Sequence, residues 1–181
     1  VEYYLINKAV EQNIIIPNRP SEEEREKRSS STYKGAFVYE PMPGLYENVV
    51  VFDFRSLYPS IIITHNISPD TLRCKCCYGD GHQPPDMKDV WYCKKRKGFV
   101  PKILEELIHR RVRIKSILKG IDVNQMNQQS KEEKLNYNIL KSREQSLKLL
   151  SNSFYGYMAY PLSRWYSIEN AKAVTSYGRY Y

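Results

Sequence analysis

The stretch VVVFDFRSLYPSIII, residues 49–63, decides how the fold of this chain is read. Val49, Val50, Val51 and Phe52 form a continuous apolar run, the mark of a strand buried on both faces. The run leads to a single carboxylate, Asp53, and a second apolar run follows Tyr58 and Pro59. Pro59 discourages helix at Tyr58 and suits a helix that begins immediately after it. The expected order is therefore buried strand, turn, helix, with Asp53 at the C-terminal end of the strand. A carboxylate held there is a good ligand for Mg²⁺, which prefers one or two carboxylates together with phosphate oxygens. The plain alternative for an isolated Asp is a helix N-cap or a satisfied buried acid.

Before this stretch, residues 36–47 (AFVYEPMPGLYE) have strand propensity interrupted by Pro and Gly, which predicts an edge strand and a turn. Residues 18–35 are polar, charged in both signs and poor in apolar residues, the composition of a solvated linker. Tyr4, Leu5, Ala9 and Val10 space a short helix within residues 1–14, ended by IIIPNRP. After the stretch, residues 73–99 are irregular and rich in Cys. Residues 101–120 (PKILEELIHRRVRIKSILKG) read as a helix with Pro101 near its start and Gly120 as C-cap. The polar segment IDVNQMNQQS then loops into a second long helix, about residues 131–156, and the pair makes an αα-hairpin.

The whole chain has 181 residues, 41% of them hydrophobic, enough for one good-sized domain or two small ones. Lys and Arg number 28 against 20 Asp and Glu, a net charge of +8 that suits a polyanionic partner such as nucleic acid. Sixteen tyrosines beside the basic residues fit stacking on bases and contact with phosphates. No apolar run approaches the ~18 residues of a membrane helix, and no signal-peptide pattern opens the chain, so a cytoplasmic location is expected. The chain opens without Met and stops in TSYGRYY, which leads us to expect a fragment.

Both hairpin helices carry polar residues where chemistry could be done. The stripe Ile103, Leu107, Ile114, Leu118 of the first helix is interrupted by Arg111, and Lys115 lies one turn further along. Snorkelling is the bland account; a two-cation clamp on phosphate is the functional one. On the second helix Lys148, Asn152 and Tyr155 stand at i, i+4 and i+7 on one face, away from Leu140, Leu147, Leu150 and Phe154. A Tyr in register with Lys and Asn, followed by Gly156, makes a platform on which a base can stack while Lys148 reaches phosphates. If both helices face one cleft, Arg111, Lys115 and Lys148 together meet a triphosphate. Two-metal phosphoryl transfer normally needs a second carboxylate beside Asp53. The sequence contains no Asp-x-Asp or Asp-Asp pair, and Asp86 and Asp89 lie in the irregular segment.

These residues resemble family B DNA polymerases of the archaeal replicative type. DFRSLYPSII (53–62) is similar to motif A of that family and KLLSNSFYG (148–156) to its motif B, Lys-x-x-x-Asn-Ser-x-Tyr-Gly. YKGA (33–36) resembles the Tyr-x-Gly-Gly/Ala loop between exonuclease and polymerase domains, residues 98–115 the first fingers helix, and residues 163–179 the palm segment after motif B. The resemblance covers nearly the whole chain, with the motifs in family order. It implies an α+β fold: a partial polymerase palm of β-strands with packed helices, plus a fingers αα-hairpin. It also implies four parts. Residues 1–35 are the N-terminal helix and linker from the exonuclease side. Residues 36–97 are the first palm part, with motif A and a Cys-rich insertion. Residues 98–156 are the fingers hairpin, with motif B, and 157–181 begin the second palm part.

The same resemblance implies roles. Asp53 would bind the catalytic Mg²⁺ ions, with the Phe54 carbonyl as a further ligand. Backbone amides of Ser56, Leu57 and Tyr58 would cradle the β- and γ-phosphates, and Tyr58 would be a steric gate against a 2′-hydroxyl. Arg111, Lys115 and Lys148 would hold the triphosphate, and Asn152 and Tyr155 would line the nascent base pair. Tyr33, Gly35 and Gly156 would meet the DNA. The implied reaction is attack of a primer 3′-hydroxyl on the α-phosphate of a dNTP, with primer–template DNA as partner and closure of the hairpin on the nucleotide. The remaining partners would be the exonuclease, motif C and thumb parts, in cis or on a second polypeptide, and a sliding clamp bound through them. If the chain is archaeal, its cytoplasmic location would be nucleoid-associated.

The chain departs from that pattern in two places. Motif C, a strand-turn with Asp-Thr-Asp, is not in the sequence, so the expectation is that the chain by itself is inactive. Cys74, Cys76 and Cys77, with Cys93 sixteen residues later and His82 between, do not form a clean Cys-x-x-Cys pair. A Zn²⁺ site, a disulfide and free thiols all remain open at this point. The competing readings of the whole are a noncatalytic nucleic-acid-binding module and one subunit of a split polymerase; Asp53 with Tyr58 discriminates, because a pure binder needs neither.

Overall fold

The computed structural model describes residues 1–121 and 130–181. The described elements are helices α1 (Glu2–Glu11), α2 (Glu22–Ser29), α3 (Leu57–Thr64), α4 (Phe99–Lys119), α5 (Lys131–Ala159) and α6 (Ile168–Tyr180), with a 3₁₀ turn at Lys75–Cys77. The expected loop over IDVNQMNQQS lies largely outside the described residues.

The α+β expectation is overturned. Among the described residues there is no strand and no sheet, and the extended pairing amounts to isolated antiparallel bridges, Leu72 with Tyr92 and His82 with Tyr92. A strand exists only when another segment accepts and donates along its ladder. None of the described segments takes that position beside residues 36–55, which run without regular structure. Neither the edge strand over 36–47 nor the buried strand over 49–52 forms. Val49, Val50, Val51 and Phe52, expected in the core, are solvent-exposed, Phe52 by 92%.

Two local expectations also change. The linker over 18–35 contains α2, opened by a capping box in which Ser21 and Glu24 each accept from the other's backbone N–H. Its Arg28 anchors it, donating to the Pro161 and Ser163 carbonyls at 3.1 Å and lying over the Tyr166 ring. Helix α3 begins at Leu57, two residues before Pro59, after Ser56 adopts a left-handed conformation with φ 52°. Proline is tolerated in a first turn because its missing N–H would have had no helical partner there.

The hairpin forms as its periodicity requires. A second capping box, Ser130 with Glu133, opens α5. The two long helices lie along each other, and α3 touches α4, α5 and α6. The core gathers Leu5 and Ala9 of α1, Ile61 and Ile62 of α3, and Ile103, Leu104 and Leu107 of α4. Phe154 and Met158 of α5 and Val174 and Tyr177 of α6 join it, with Ile67, Val90, Tyr92 and Trp165 from the connecting loops. Burial on α4 ends at Leu107, and on α5 it begins only at Ser151. The far half of the hairpin therefore projects from the core, and Arg111 sits where α4 leaves it. Burial of these apolar side chains at roughly 25 cal/mol per Å² is what fixes the root of the hairpin against α3 and α6.

Candidate functional site

At the root of the hairpin, the N-terminus of α3 opens into a cleft of about 630 Å³ lined by Asp53 to Pro59, Arg111, Lys115, Lys148 and Asn152. Three sequence-distant pieces meet there: the turn before α3, the middle of α4 and the last third of α5. The helical phases explain the meeting. Arg111 and Lys115 are one turn apart on α4, and Lys148 and Asn152 one turn apart on α5, so each pair presents a single face.

Arg111 ties the cleft together. Its Nε donates to Oε1 of Glu144 at 2.7 Å, and its Nη1 donates to Oγ of Ser56 at 3.2 Å. Both side chains of the ion pair are largely shielded, 14% exposed for Arg111 and 18% for Glu144. Glu144 was not among the residues expected at the site. The signal was present: it stands four residues before Lys148 and extends the Lys148–Asn152 face back by one turn. Arg55 also lines the cleft without having been singled out.

The start of α3 adds donors. Ser60 N–H closes the first helical bond onto the Ser56 carbonyl at 2.9 Å. The amides of Leu57 and Tyr58 precede that bond, and residue 59 is Pro, so these N–H groups make no helical bond. They face the cleft end of a helix whose dipole is positive there.

Tyr58 packs edge-on against Tyr155, ring centroids 4.7 Å apart, and the Tyr155 hydroxyl pairs with that of Tyr33 at 2.8 Å. Burial, then the Tyr33 hydroxyl, pushes the Tyr155 phenol above its ordinary value. Gly178 of α6 lies under Tyr58: a Cβ there would stand 3.3 Å from Cε1 of that ring. The segment carrying Tyr33 and Gly35 is pinned to α6, with Arg179 Nη1 donating to the Gly35 carbonyl at 2.8 Å and Thr175 Oγ1 to the Lys34 carbonyl at 3.2 Å. Gly156 leaves open space, since a Cβ on it would meet nothing within 4 Å.

Asp53 and Phe54 are at the cleft but exposed, rather than fixed at a strand end. Asp53 is the carboxylate that lines the cleft. Asp86, in the loop between α3 and α4, is instead tied to α6, accepting from Arg179 at 2.8 Å through its side chain and donating from its N–H to Ser176 Oγ. One exposed carboxylate beside several cations fits a Mg²⁺ ion that arrives with phosphate oxygens, and does not amount to an all-protein cage.

Away from the cleft, the four cysteines come together. The sulfurs of Cys74, Cys76, Cys77 and Cys93 all lie within 4.8 Å of one another, and none is in a disulfide. His82 is not in this group; its ring packs edge-on to His65 at 5.7 Å.

The comparisons with known proteins come from three directions. The profile described as DNA polymerase family B matches residues 1–181. A DNA polymerase of Pyrococcus glycovorans is 42% identical over 181 residues, all of this chain and 22% of the relative. A DNA polymerase of Thermococcus gorgonarius is 42% identical over 182 residues, again 22% of its length. Among solved structures, the family B DNA polymerase from the hyperthermophilic archaeon Pyrobaculum calidifontis is similar with a TM-score of 0.68 and 32% identity, over 99% of this chain and 22% of that one. The chain thus spans about a fifth of the length of the relatives it matches.

Proposed function

The chain belongs to DNA polymerase family B, and from that premise we propose that it supplies the nucleotide-binding part of a template-directed DNA polymerase. The observation that carries the reading is the cleft, where Asp53, the free amides at the start of α3, and Arg111, Lys115 and Lys148 converge. That donor set matches a nucleoside triphosphate with its metal. The amides and the helix dipole receive phosphate oxygens, the guanidinium forks onto a second pair, and the lysines add point charge. Bound Mg²⁺, held by Asp53 with the Phe54 carbonyl, would polarise the phosphoryl group undergoing transfer. Such preorganised positive groups stabilise the charge that develops as the primer 3′-hydroxyl attacks and pyrophosphate leaves.

Tyr58 is the residue that would read the sugar. Its ring packs against Tyr155 and beside the α6 backbone at Gly178, contacts that would resist its withdrawal from a 2′-hydroxyl. Asn152 at the cleft wall and Tyr155 behind Tyr58 would line the base pair, while Tyr33, Gly35 and Gly156 would follow the DNA. In this reading residues 98–156 are the fingers hairpin, 36–97 and 157–181 the palm side, and 1–35 the exonuclease-side helices and linker. Because two-metal phosphoryl transfer normally needs a second carboxylate beside Asp53, the 181 residues alone should not turn over. The exonuclease, motif C and thumb parts, and a sliding clamp bound through them, would be supplied by the rest of the polymerase.

The test is a chimera in which this chain replaces the matching segment of the Thermococcus gorgonarius polymerase. The chimera should extend a primer with dNTPs, and Asp53→Ala should abolish extension while leaving duplex binding within a few-fold. A soluble, duplex-binding chimera that never extends, or an active Asp53→Ala variant, would overturn the proposal. The first of those outcomes would favour the noncatalytic binding module.

A further inference from the structure

We propose that Cys74, Cys76, Cys77 and Cys93 form a structural Zn²⁺ site that staples the loop between α3 and α4 to the foot of the hairpin. The geometry is that of four ligands around one ion. Zn–S bonds of about 2.3 Å in a tetrahedron place the sulfurs about 3.8 Å apart. The Sγ–Sγ distances here are 3.5 Å for Cys76–Cys93, 3.8 Å for Cys77–Cys93 and 3.8 Å for Cys76–Cys77. A disulfide needs one pair drawn to about 2.05 Å and turned away from the others, whereas three sulfurs here share nearly equal separations. An iron–sulfur cube is also a poor fit, since its own atoms hold the four cysteine sulfurs much further apart than this.

The surrounding backbone is built as a ligand loop. Cys74, Cys76 and Cys77 sit on the 3₁₀ turn and its cap, and the chain leaves through Gly79 with φ 79°, a conformation that suits glycine. A Cβ on Gly81 would fall 2.7 Å from the Trp91 ring, so that position must stay small for the two arms to close. Trp91 Nε1 donates to the Cys74 carbonyl at 3.0 Å, and Cys93 N–H donates to the Thr71 carbonyl at 3.1 Å. The Arg96 N–H donates to the Cys93 sulfur at 3.3 Å, the outer-shell bond that stabilises a metal-bound thiolate. Four thiolates around Zn²⁺ leave two negative charges, and the basic run Lys94–Lys97 follows Cys93 directly.

The site would act on the hairpin through Asn66. Its Nδ2 donates to the Cys93 carbonyl at 2.6 Å and to the Arg96 carbonyl at 2.7 Å, while its Oδ1 accepts from the N–H of Gly98, the cap of α4. A fixed Cys93–Arg96 turn thereby fixes where α4 starts, and with it the direction of the projecting half. This inference does not depend on the polymerase reading.

The experiment is metal analysis of the protein purified under reducing conditions, followed by Co²⁺ substitution. About one zinc per chain is expected, and Co²⁺ should give the strong visible absorption of a tetrahedral site with thiolate charge transfer in the near ultraviolet. Chelation should lower Tm by about 5 °C or more, reversed by zinc. Cys76→Ser, on the exposed ligand, should weaken zinc binding at least tenfold; should that variant not fold, the Co²⁺ spectrum of the unaltered protein decides. Binding of neither metal would overturn the proposal, whether mass spectrometry then finds disulfides or four reactive thiols.

Discussion

Arg111 on α4 and Glu144 on α5 form an ion pair, Nε to Oε1 2.7 Å, and of the two Arg111 lines the cleft. The same guanidinium reaches Ser56 at the start of α3, so one residue joins three elements. A carboxylate in that position satisfies the arginine and competes with any anion for it.

Glu144→Gln should therefore move two quantities in opposite directions. Stability should fall by about 1–3 kcal/mol, because a largely shielded Arg loses its counter-charge. Affinity for a triphosphate should rise several-fold, because the guanidinium no longer has to leave a carboxylate. Thermal melting and nucleotide titration check the two signs, and a fall in both would show that Glu144 only positions Arg111.

Gly178→Ala should disturb Tyr58. The added methyl would meet the ring at 3.3 Å, closer than most real contacts, so the ring must shift by a few tenths of an ångström. Alanine also raises helix stability by up to about 1 kcal/mol, which partly offsets the crowding. Stability should change little, while discrimination between dNTP and rNTP in the active chimera should change several-fold. The ratio of kcat/KM for the two sugars measures it; an unaltered ratio would detach Tyr58 from sugar selection.

His65 should make the protein acid-sensitive. Burial, then the neighbouring His82, lowers its pKa from 6.5 to about 4, and the ring stacks on Tyr177 at 3.5 Å. Between those values the unfolded chain binds a proton that the folded chain refuses, so stability rises with pH through that window. The contribution is whole above about pH 6.5 and is lost as pH falls toward 4, on the order of 1–3 kcal/mol in all. His65→Phe keeps an aromatic ring on Tyr177 and should flatten the difference; parallel Tm–pH curves for the two proteins would refute this.

Residues that depend on near neighbours were legible in the sequence. The two hairpin helices and the Lys148–Asn152–Tyr155 face follow from a 3.6-residue period, and the start of α5 from Ser130 and Glu133 at capping-box spacing. The capping box at Ser21 is equally local, but the charge run around it has the composition of a linker. The run Val49–Phe52 stays outside the core for a different reason. Its composition states only that it would suit burial, and a strand is completed by a partner that sequence proximity does not provide.

The sequence alone yields α1 and the two long hairpin helices, the charged face of each hairpin helix, the carboxylate before α3 and four cysteines in one loop, but neither α2 nor α6. The tertiary structure adds that Arg111 answers to Glu144, that Tyr33, Tyr155 and Tyr58 form one chain of contacts against Gly178, and that the four sulfurs lie within 4.8 Å of one another. It also decided that residues 49–52 stay outside the core. The physical reason is range. Helical phase and capping are set within four residues along the chain, whereas ion pairs, ring contacts, metal cages and strand ladders are set by groups that only folding brings together.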